Sequence, residues 1–440
     1  MILGDQPDTL APVAETRSVR PRVDVALVAA IRARVADGLG AQGGLVAAHR
    51  DALTAELVAQ ALADHAAERL AGGLANLTDT EEAAVAGAVI DAFSGLARLG
   101  PVLADRSWTD LHAVGSDPVI VDLVDGTKAT WDPVVDSDED LVELMRTLGR
   151  SEAISERRFD LAHPQINTQL RDGTRLFGIS WITARPHLFL RRHHHLEVTL
   201  EDLVRLGTMD TQAARFLEAA VRARMSLLVA GGMGVGKTTT LRALAACFGP
   251  EERAVSVETE FELGLDRDRQ RHPDFVALEA REANVEGAGA VSCADLVRWS
   301  MRMAASRIAV GELLGAEVIP MLNAFHSGAS GLSTIHANSS ADALDKLAIL
   351  ALQAPERLDI HHTYALAARA LDLVVFMDRT RDGRRVLASV REITGTDGTQ
   401  VLTNELFSPG PEGRALRSRV PISEPRRAAL AQVGYSEAAR

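Results

Sequence analysis

The run Gly231-Gly232-Met233-Gly234-Val235-Gly236-Lys237-Thr238-Thr239 carries the most specific chemistry in the chain. Its first eight residues fit GxxxxGK[ST], the phosphate-binding loop, and an apolar stretch over 226–230 precedes them as a strand should. From Thr239 onward the sequence continues as a helix. Glycines let backbone N–H groups curl around phosphate oxygens, and a helix N-terminus adds a positive dipole. Lys237 is placed to reach the β- and γ-phosphate oxygens, and the Thr238 hydroxyl to hold Mg²⁺. A plain glycine turn before a helix needs no Lys-Thr pair. A dinucleotide fingerprint does not fit either, because Lys237 stands where the last glycine of GxGxxG belongs.

Binding a nucleotide is not yet using it; that takes carboxylates on neighbouring strands. The apolar stretch 307–311 ends in Glu312, placed to orient water or to hold the Mg²⁺ shell. The usual Walker B aspartate is absent, with Gly311 in its place. Glu258 and Glu262, four residues apart at the end of a strand over 253–257, are the second candidates for the same tasks. Glu260 between them reads as a surface acid.

Several elements must position these groups. Residues 1–22 read as a disordered tail with little apolar pattern. Over 23–105 a helical bundle is predicted: Leu27, Ile31 and Val35 recur at four-residue steps, as do Leu53, Leu57 and Ala61. Glycines 38, 40, 43, 44, 72 and 73 divide it into three or four helices. Residues 106–196 read as a small α/β unit. It has strands at 118–124 and 128–131 around the turn Asp125-Gly126, a helix start crowded with carboxylates at 136–140, and strands again over 166–192. From 197 to 395 helices alternate with short apolar strands, the pattern of a parallel α/β sheet. A short strand pair and a charged tail are expected over 396–440.

Composition narrows the function. Hydrophobic residues make up 47% of the 440 residues and charged ones 24%, an ordinary globular balance. The formal charge is −13, and residues 1–150 hold 24 acidic against 12 basic side chains, so nearly all the excess lies in the first third. That third is a poor phosphate binder, and no direct nucleic-acid partner is expected. Two cysteines, Cys247 and Cys293, are too few for a disulfide framework and suit a reducing compartment. No transmembrane segment is expected, since no apolar run reaches about 18 residues. The N-terminus lacks the order of a signal peptide.

Taken in sequence, these motifs resemble the secretion ATPase superfamily of type II secretion, type IV pili and type IV secretion. Within it they are most similar to the CpaF-like ATPases of tight-adherence (Flp) pilus systems, in their actinobacterial form. The resemblance covers roughly residues 110–408. Ser155 to Arg158 and Leu170 to Arg175 resemble the family's entry to the nucleotide site, which implies that Arg175, Arg191 and Arg192 lie near the phosphates. Glu258 and Glu262 match the acidic box, His272 to Arg281 with Asn284 to Gly287 the stretch after it, and Asp295 to Met303 the helix before Walker B. Gly311-Glu312 matches a Walker B that also lacks the aspartate, and Ser333-Thr-Ile-His336-Ala-Asn338 the histidine box. Three positions depart: Thr259 for an aspartate, Leu314 for an arginine, and Gly328 for the first histidine of the box, a role His326 fills only if the loop carries two extra residues. The run His193-His194-His195 is read as an exposed linker.

The resemblance implies a RecA-like P-loop ATPase domain preceded by a smaller α/β domain that closes over the nucleotide and by an N-terminal helical region. It implies ATP and Mg²⁺ as cofactors, with Lys237, Glu312, Glu258, Glu262, His336 and the three arginines as the catalytic set. It also implies a homohexamer, cytoplasmic and peripheral at the inner face of the membrane, pulling on an inner-membrane platform protein. Two rivals come from other classes. A nucleotide-gated scaffold would show turnover indifferent to Lys237, and a nucleic-acid translocase would show DNA-stimulated turnover.

Overall fold

The computed structural model describes residues 24–40, 47–94, 99–151, 158–170, 173–192, 197–281, 283 and 287–437. The tail at 1–22, the histidine run at 193–195 and residues 155–157, 171–172 and 284–286 of the matched stretches lie outside them. The chain forms two compact units, residues 1–194 and 195–440.

In the first unit, helices α1 (Val25–Gly40), α2 (Ala47–Ala71) and α3 (Asp79–Ser94) close on Ile31, Val35, Val58, Ala61, Leu62, Val85 and Val89. The four-residue steps of α1 do enter this core. On α2 the buried line runs one residue later than the sequence suggests, through Val58 and Leu62, with Leu57 half-buried against Gly38.

After α4 (Leu99–Ala104) comes a six-stranded antiparallel sheet of order β3-β2-β1-β6-β5-β4. Its strands are β1 (Trp108–Val114), β2 (Val119–Leu123), β3 (Lys128–Trp131), β4 (Gln165–Gln169), β5 (Arg175–Ile179) and β6 (His187–Arg191). Helix α5 (Asp138–Ser151) sends Leu141, Leu144, Met145 and Leu148 into the same core as Leu111, Val121, Ile166, Leu176 and Leu188. Strand β1 escapes the sequence reading although it pairs with both β2 and β6. Its Asp110 and His112 alternate with buried Leu111 and Ala113, the pattern of a strand with one face covered.

The second unit opens with α6 (Leu200–Arg205) and α7 (Thr211–Arg222). Its nine-stranded sheet has the order β15-β14-β13-β12-β7-β11-β10-β8-β9. In chain order these are β7 (Leu227–Gly231), β8 (Ala254–Glu258), β9 (Phe275–Glu279), β10 (Arg307–Leu313), β11 (Ser330–His336), β12 (Leu373–Arg379), β13 (Arg385–Thr396), β14 (Val401–Pro409) and β15 (Ala415–Arg417). Every pair from β12 across to β9 is parallel. Helices cover both faces. Leu227 and Val229 of β7 pack into one core with α6, α7 and α8 (Lys237–Ala245). Leu228 and Ala230 face another with α9 (Cys293–Ser300), α10 (Val318–His326), α11 (Asp342–Gln353) and α12 (Ile360–Ala370). Burial on both faces is why these strands read as continuous apolar runs.

The strand pair expected over 396–440 is β14 with β15, which are antiparallel, but it extends the large sheet and the expected tail needs correction. Strand β13 begins at Arg385 and joins β12 to β14 in the same sheet. Helix α13 (Glu424–Gln432) then packs Leu430 into the core, so these residues complete the unit. Both cysteines are free. Among the described residues no helix is long and apolar enough to cross a membrane.

Candidate nucleotide site

The parallel strands bring the chemistry to one edge. Gly231, Glu258, Glu312, His336 and Arg379 all stand at or within one residue of the carboxyl ends of β7, β8, β10, β11 and β12. In parallel sheets that edge is where ligands bind.

The loop itself is built on a close approach. A Cβ on Gly231 would lie 2.4 Å from the Met377 carbonyl oxygen of β12, so only glycine lets the loop leave the sheet here. Gly234 and Gly236 take left-handed φ values of 69° and 98° and turn the chain back into α8. Val235 is buried in the core, whereas Met233 at the tip is 87% exposed. Helices α6, α7, α9 and α12 are capped by Thr199, Asp210, Ser292 and Asp359, but α8 has no side-chain cap. The N–H of Thr240 is the first to reach a helical acceptor, Gly236 O at 2.9 Å. The N–H groups of Lys237, Thr238 and Thr239 precede it, which makes this terminus an anion site.

Three side chains line up at the mouth. Lys237 Nζ donates to Gly232 O at 2.8 Å and approaches His336 Nδ1 at 3.2 Å. His336 Nε2 lies 2.8 Å from Glu312 Oε1. An ammonium only donates, so Nδ1 accepts and Nε2 carries the proton given to Glu312; the neutral Nε2–H tautomer satisfies both contacts. Strand β11 lies between β7 and β10, and this order puts His336 between the lysine and the carboxylate. Burial pushes the Lys237 pKa down, while the charge of Glu312 pulls it back up.

The acidic box divides. Glu258 is 3% exposed, and its carboxylate accepts the N–H groups of Glu262 and Leu263, both at 2.7 Å, and the Ser256 hydroxyl at 2.7 Å. Burial raises its pKa against these hydrogen bonds. A carboxylate used in this way shapes the loop after β8. Glu262 is half-buried, and its charge, with that of Glu258, acts on the buried Arg242 of α8.

The three departures sit in different places. Thr259 is exposed just past β8, with its hydroxyl 3.7 Å from Cys293 Sγ. Leu314 is 57% exposed in a loop whose Gly315 N–H is held by the Glu317 carboxylate at 2.8 Å. Gly328 and His326 precede β11, and so lie about 20 Å of strand away from His336, at the far edge of the sheet. Neither can join the chemistry at the phosphate loop of this unit.

Arg175, Arg191 and Arg192 belong to the first unit. Arg175 pairs across the strands with Arg191, and Arg191 with Asp110, in one row on the face away from α5. Arg191 Nε binds Asp110 Oδ1 at 2.6 Å and stays exposed. Arg192 differs. It is 6% exposed, donates to the carbonyls of Asp105 at 2.5 Å and Leu103 at 2.7 Å, and stacks 4.3 Å from the Trp108 ring. Its guanidinium ties α4 to β1.

Residues that the sequence reading passed over complete the edge. The Thr334 hydroxyl donates to Gly311 O at 2.7 Å, locking β11 to β10 beneath Glu312. Arg379 and Arg385 of the β12–β13 hairpin stand against the loop. Their only sequence signal is a cluster of arginines around Asp382-Gly383 after an apolar strand.

A parallel sheet clad in helices on both faces, with a phosphate loop leaving its central strand, defines a RecA-like P-loop protein. The chain belongs to the type II/IV secretion system protein family, whose pattern matches residues 150–379. A Mycobacterium tuberculosis (strain H37Rv) protein named for conjugal transfer is 34% identical over 336 residues, 73% of this chain and 91% of that protein. A Bordetella bronchiseptica homologue of the type IV secretion system protein PtlH is 38% identical over 233 residues, 52% of this chain and 63% of that protein. Among solved structures, the VirB11 ATPase of the Brucella suis type IV secretion system in complex with sulphate is 24% identical with a TM-score of 0.36, covering 70% of this chain and 96% of that one. The pilus retraction motor PilT with bound ADP is 15% identical with a TM-score of 0.46, covering 78% and 86%.

Proposed function

We propose that this protein hydrolyses ATP with Mg²⁺ and works as a motor of a secretion or pilus-assembly machine. The observation that carries the reading is the line Lys237–His336–Glu312 across the mouth of an uncapped phosphate-loop helix. The loop amides and Lys237 bind the polyphosphate. Thr238 fits Mg²⁺, which keeps most of its water and takes few protein ligands; when bound it neutralises charge developing on the phosphates. Glu312 orients the attacking water and takes its proton. His336 gives up Lys237 to the incoming phosphate and keeps its bond to Glu312, which reports to the base that the site is filled.

Family membership and relatives named for conjugal transfer and type IV secretion support a place in an export machine. In this reading subunits form a hexamer at the inner face of the cytoplasmic membrane and act on a platform protein there. Arg175 and Arg191 reach the nucleotide when the first unit closes over it. The tight-adherence pilus branch is the finer assignment, resting on the motif resemblance.

Phosphate release by the full chain with ATP and Mg²⁺ tests the enzyme. Turnover lost in Lys237→Ala is expected, and turnover indifferent to that change would end the assignment. Mass photometry with a non-hydrolysed ATP analogue tests the ring, for which a strict monomer is the fatal result.

A further inference from the structure

The hairpin between β12 and β13 brings to the phosphate loop two arginines that the reading above does not use. Strand β12 runs parallel to the loop's own strand with Met377 opposite Gly231, so Arg379 stands beside the loop, two residues further on. Arg379 Nη2 donates to Gly234 O at 3.0 Å. Arg385 lies opposite Arg379 across the hairpin, and its Cδ is 3.6 Å from where a Cβ on Gly236 would stand. A Cβ on Gly234 would be 3.2 Å from Arg379 Nη2, so the glycines make room for both arginines.

Among the described residues, no carboxylate forms an ion pair with Arg379 or Arg385. Asp378 accepts the backbone N–H of Arg379, and Asp382 is taken by Arg384 and by the Thr380 hydroxyl. Like charges directly opposite in a strand pair repel. Although Arg385 is exposed, the protein packed around its guanidinium strips it of some water and, with the charge of Arg379, pushes its pKa down, the electrostatic mark of a cationic corner without its anion.

The contact to Gly234 also sets the loop. In a trans peptide the C=O and the following N–H point in opposite directions. Arg379 draws the Gly234 carbonyl toward the hairpin, which turns the Val235 N–H away from it.

We propose that the β12–β13 hairpin is a second cationic wall of the nucleotide site, in which Arg379 positions the Gly234–Val235 peptide and Arg385 binds the polyphosphate directly. The ligand class is a nucleoside polyphosphate, recognised here through its phosphates and not its base. The proposal rests on the phosphate-loop reading, so Lys237→Ala serves as its control: native affinity in that variant would sink the loop reading itself, whatever the hairpin does.

The experiment is calorimetry of ATP, ADP and pyrophosphate with the full chain, across a salt series. Arg385→Ala should lose about tenfold in affinity for all three, the scale of one hydrogen bond to a charged group, and its affinity should fall less steeply with salt. Arg379→Ala should lose a similar factor. Arg379→Gln keeps an N–H donor without charge and should recover most of the loss. Native pyrophosphate affinity in Arg385→Ala overturns direct binding. Equal losses in Arg379→Gln and Arg379→Ala overturn the positioning role. Both arginines are exposed, and melting temperatures confirm that each variant is folded.

Discussion

The side chain of Glu258 crowds the place of a side chain on Gly311: its Cγ lies 3.3 Å from where a Cβ on Gly311 would stand. Strands β8 and β10 are paired in parallel with Val257 opposite Val310, so the two residues are neighbours at the sheet edge. A side chain at Gly311 would thus crowd the Glu258 methylene of the adjacent strand, and a carboxylate there would also stand close to a buried one. Restoring the aspartate is predicted to harm the protein. Gly311→Asp should cost about 2 kcal/mol or more by pressing a second charge against a buried carboxylate. Its turnover should fall. Urea denaturation and phosphate release check both, and a rise in turnover would contradict the account.

Glu258 also predicts a pH dependence. Its pKa is raised, first by burial, above an ordinary value of 4.5. The native state therefore holds this proton more tightly than the unfolded chain does. The stability from this group is full below 4.5 and is lost as pH rises through the native value. Glu258→Gln cannot titrate and loses one acceptor, at a cost of about 2 kcal/mol. The wild-type advantage over it should be largest near pH 4.5 and narrow as pH rises, as urea melts along a pH series will show. An advantage that widens with pH would mean that the hydrogen bonds outweigh burial.

The line through His336 separates binding from turnover. Glu312→Gln should bind ATP normally and lose about 10²-fold or more in turnover, the contribution of a positioned base. His336→Ala should keep affinity within about threefold and lose a comparable factor in rate, because Glu312 is then unheld. His336→Gln offers one acceptor and one donor and should recover part of it. Calorimetry beside phosphate release separates the two effects. A His336→Ala defect confined to affinity would remove it from the catalytic line.

The arginines of the first unit should divide by phenotype. Arg192→Ala removes two hydrogen bonds and a stacking contact inside its own unit, and should lower stability by about 2–3 kcal/mol. Arg175→Ala should leave the melting temperature near native and slow turnover. Scanning calorimetry and ATPase rates on both variants decide. Slow turnover in a fully stable Arg192→Ala would return that residue to the nucleotide.

Local chemistry was legible in the sequence alone. The strand and helix flanking the glycine loop, and the strands that end at Glu312 and His336, could be read there, because a loop of that spacing needs a strand before it and a helix after it and apolar strands announce a sheet buried on both faces. Tertiary structure decided what each charged side chain meets. Glu258 and Glu262 look alike in sequence, yet the first is buried and holds backbone amides while the second is half-buried. Arg191 and Arg192 are adjacent, but neighbouring strand residues face opposite sides, so one reaches solvent and the other reaches Trp108. Arg379 lies 145 residues from Gly234 and meets it only because β12 pairs with β7. Spacing along a chain encodes contacts within a turn or a strand, whereas contacts across a sheet depend on strand order, which no local pattern carries.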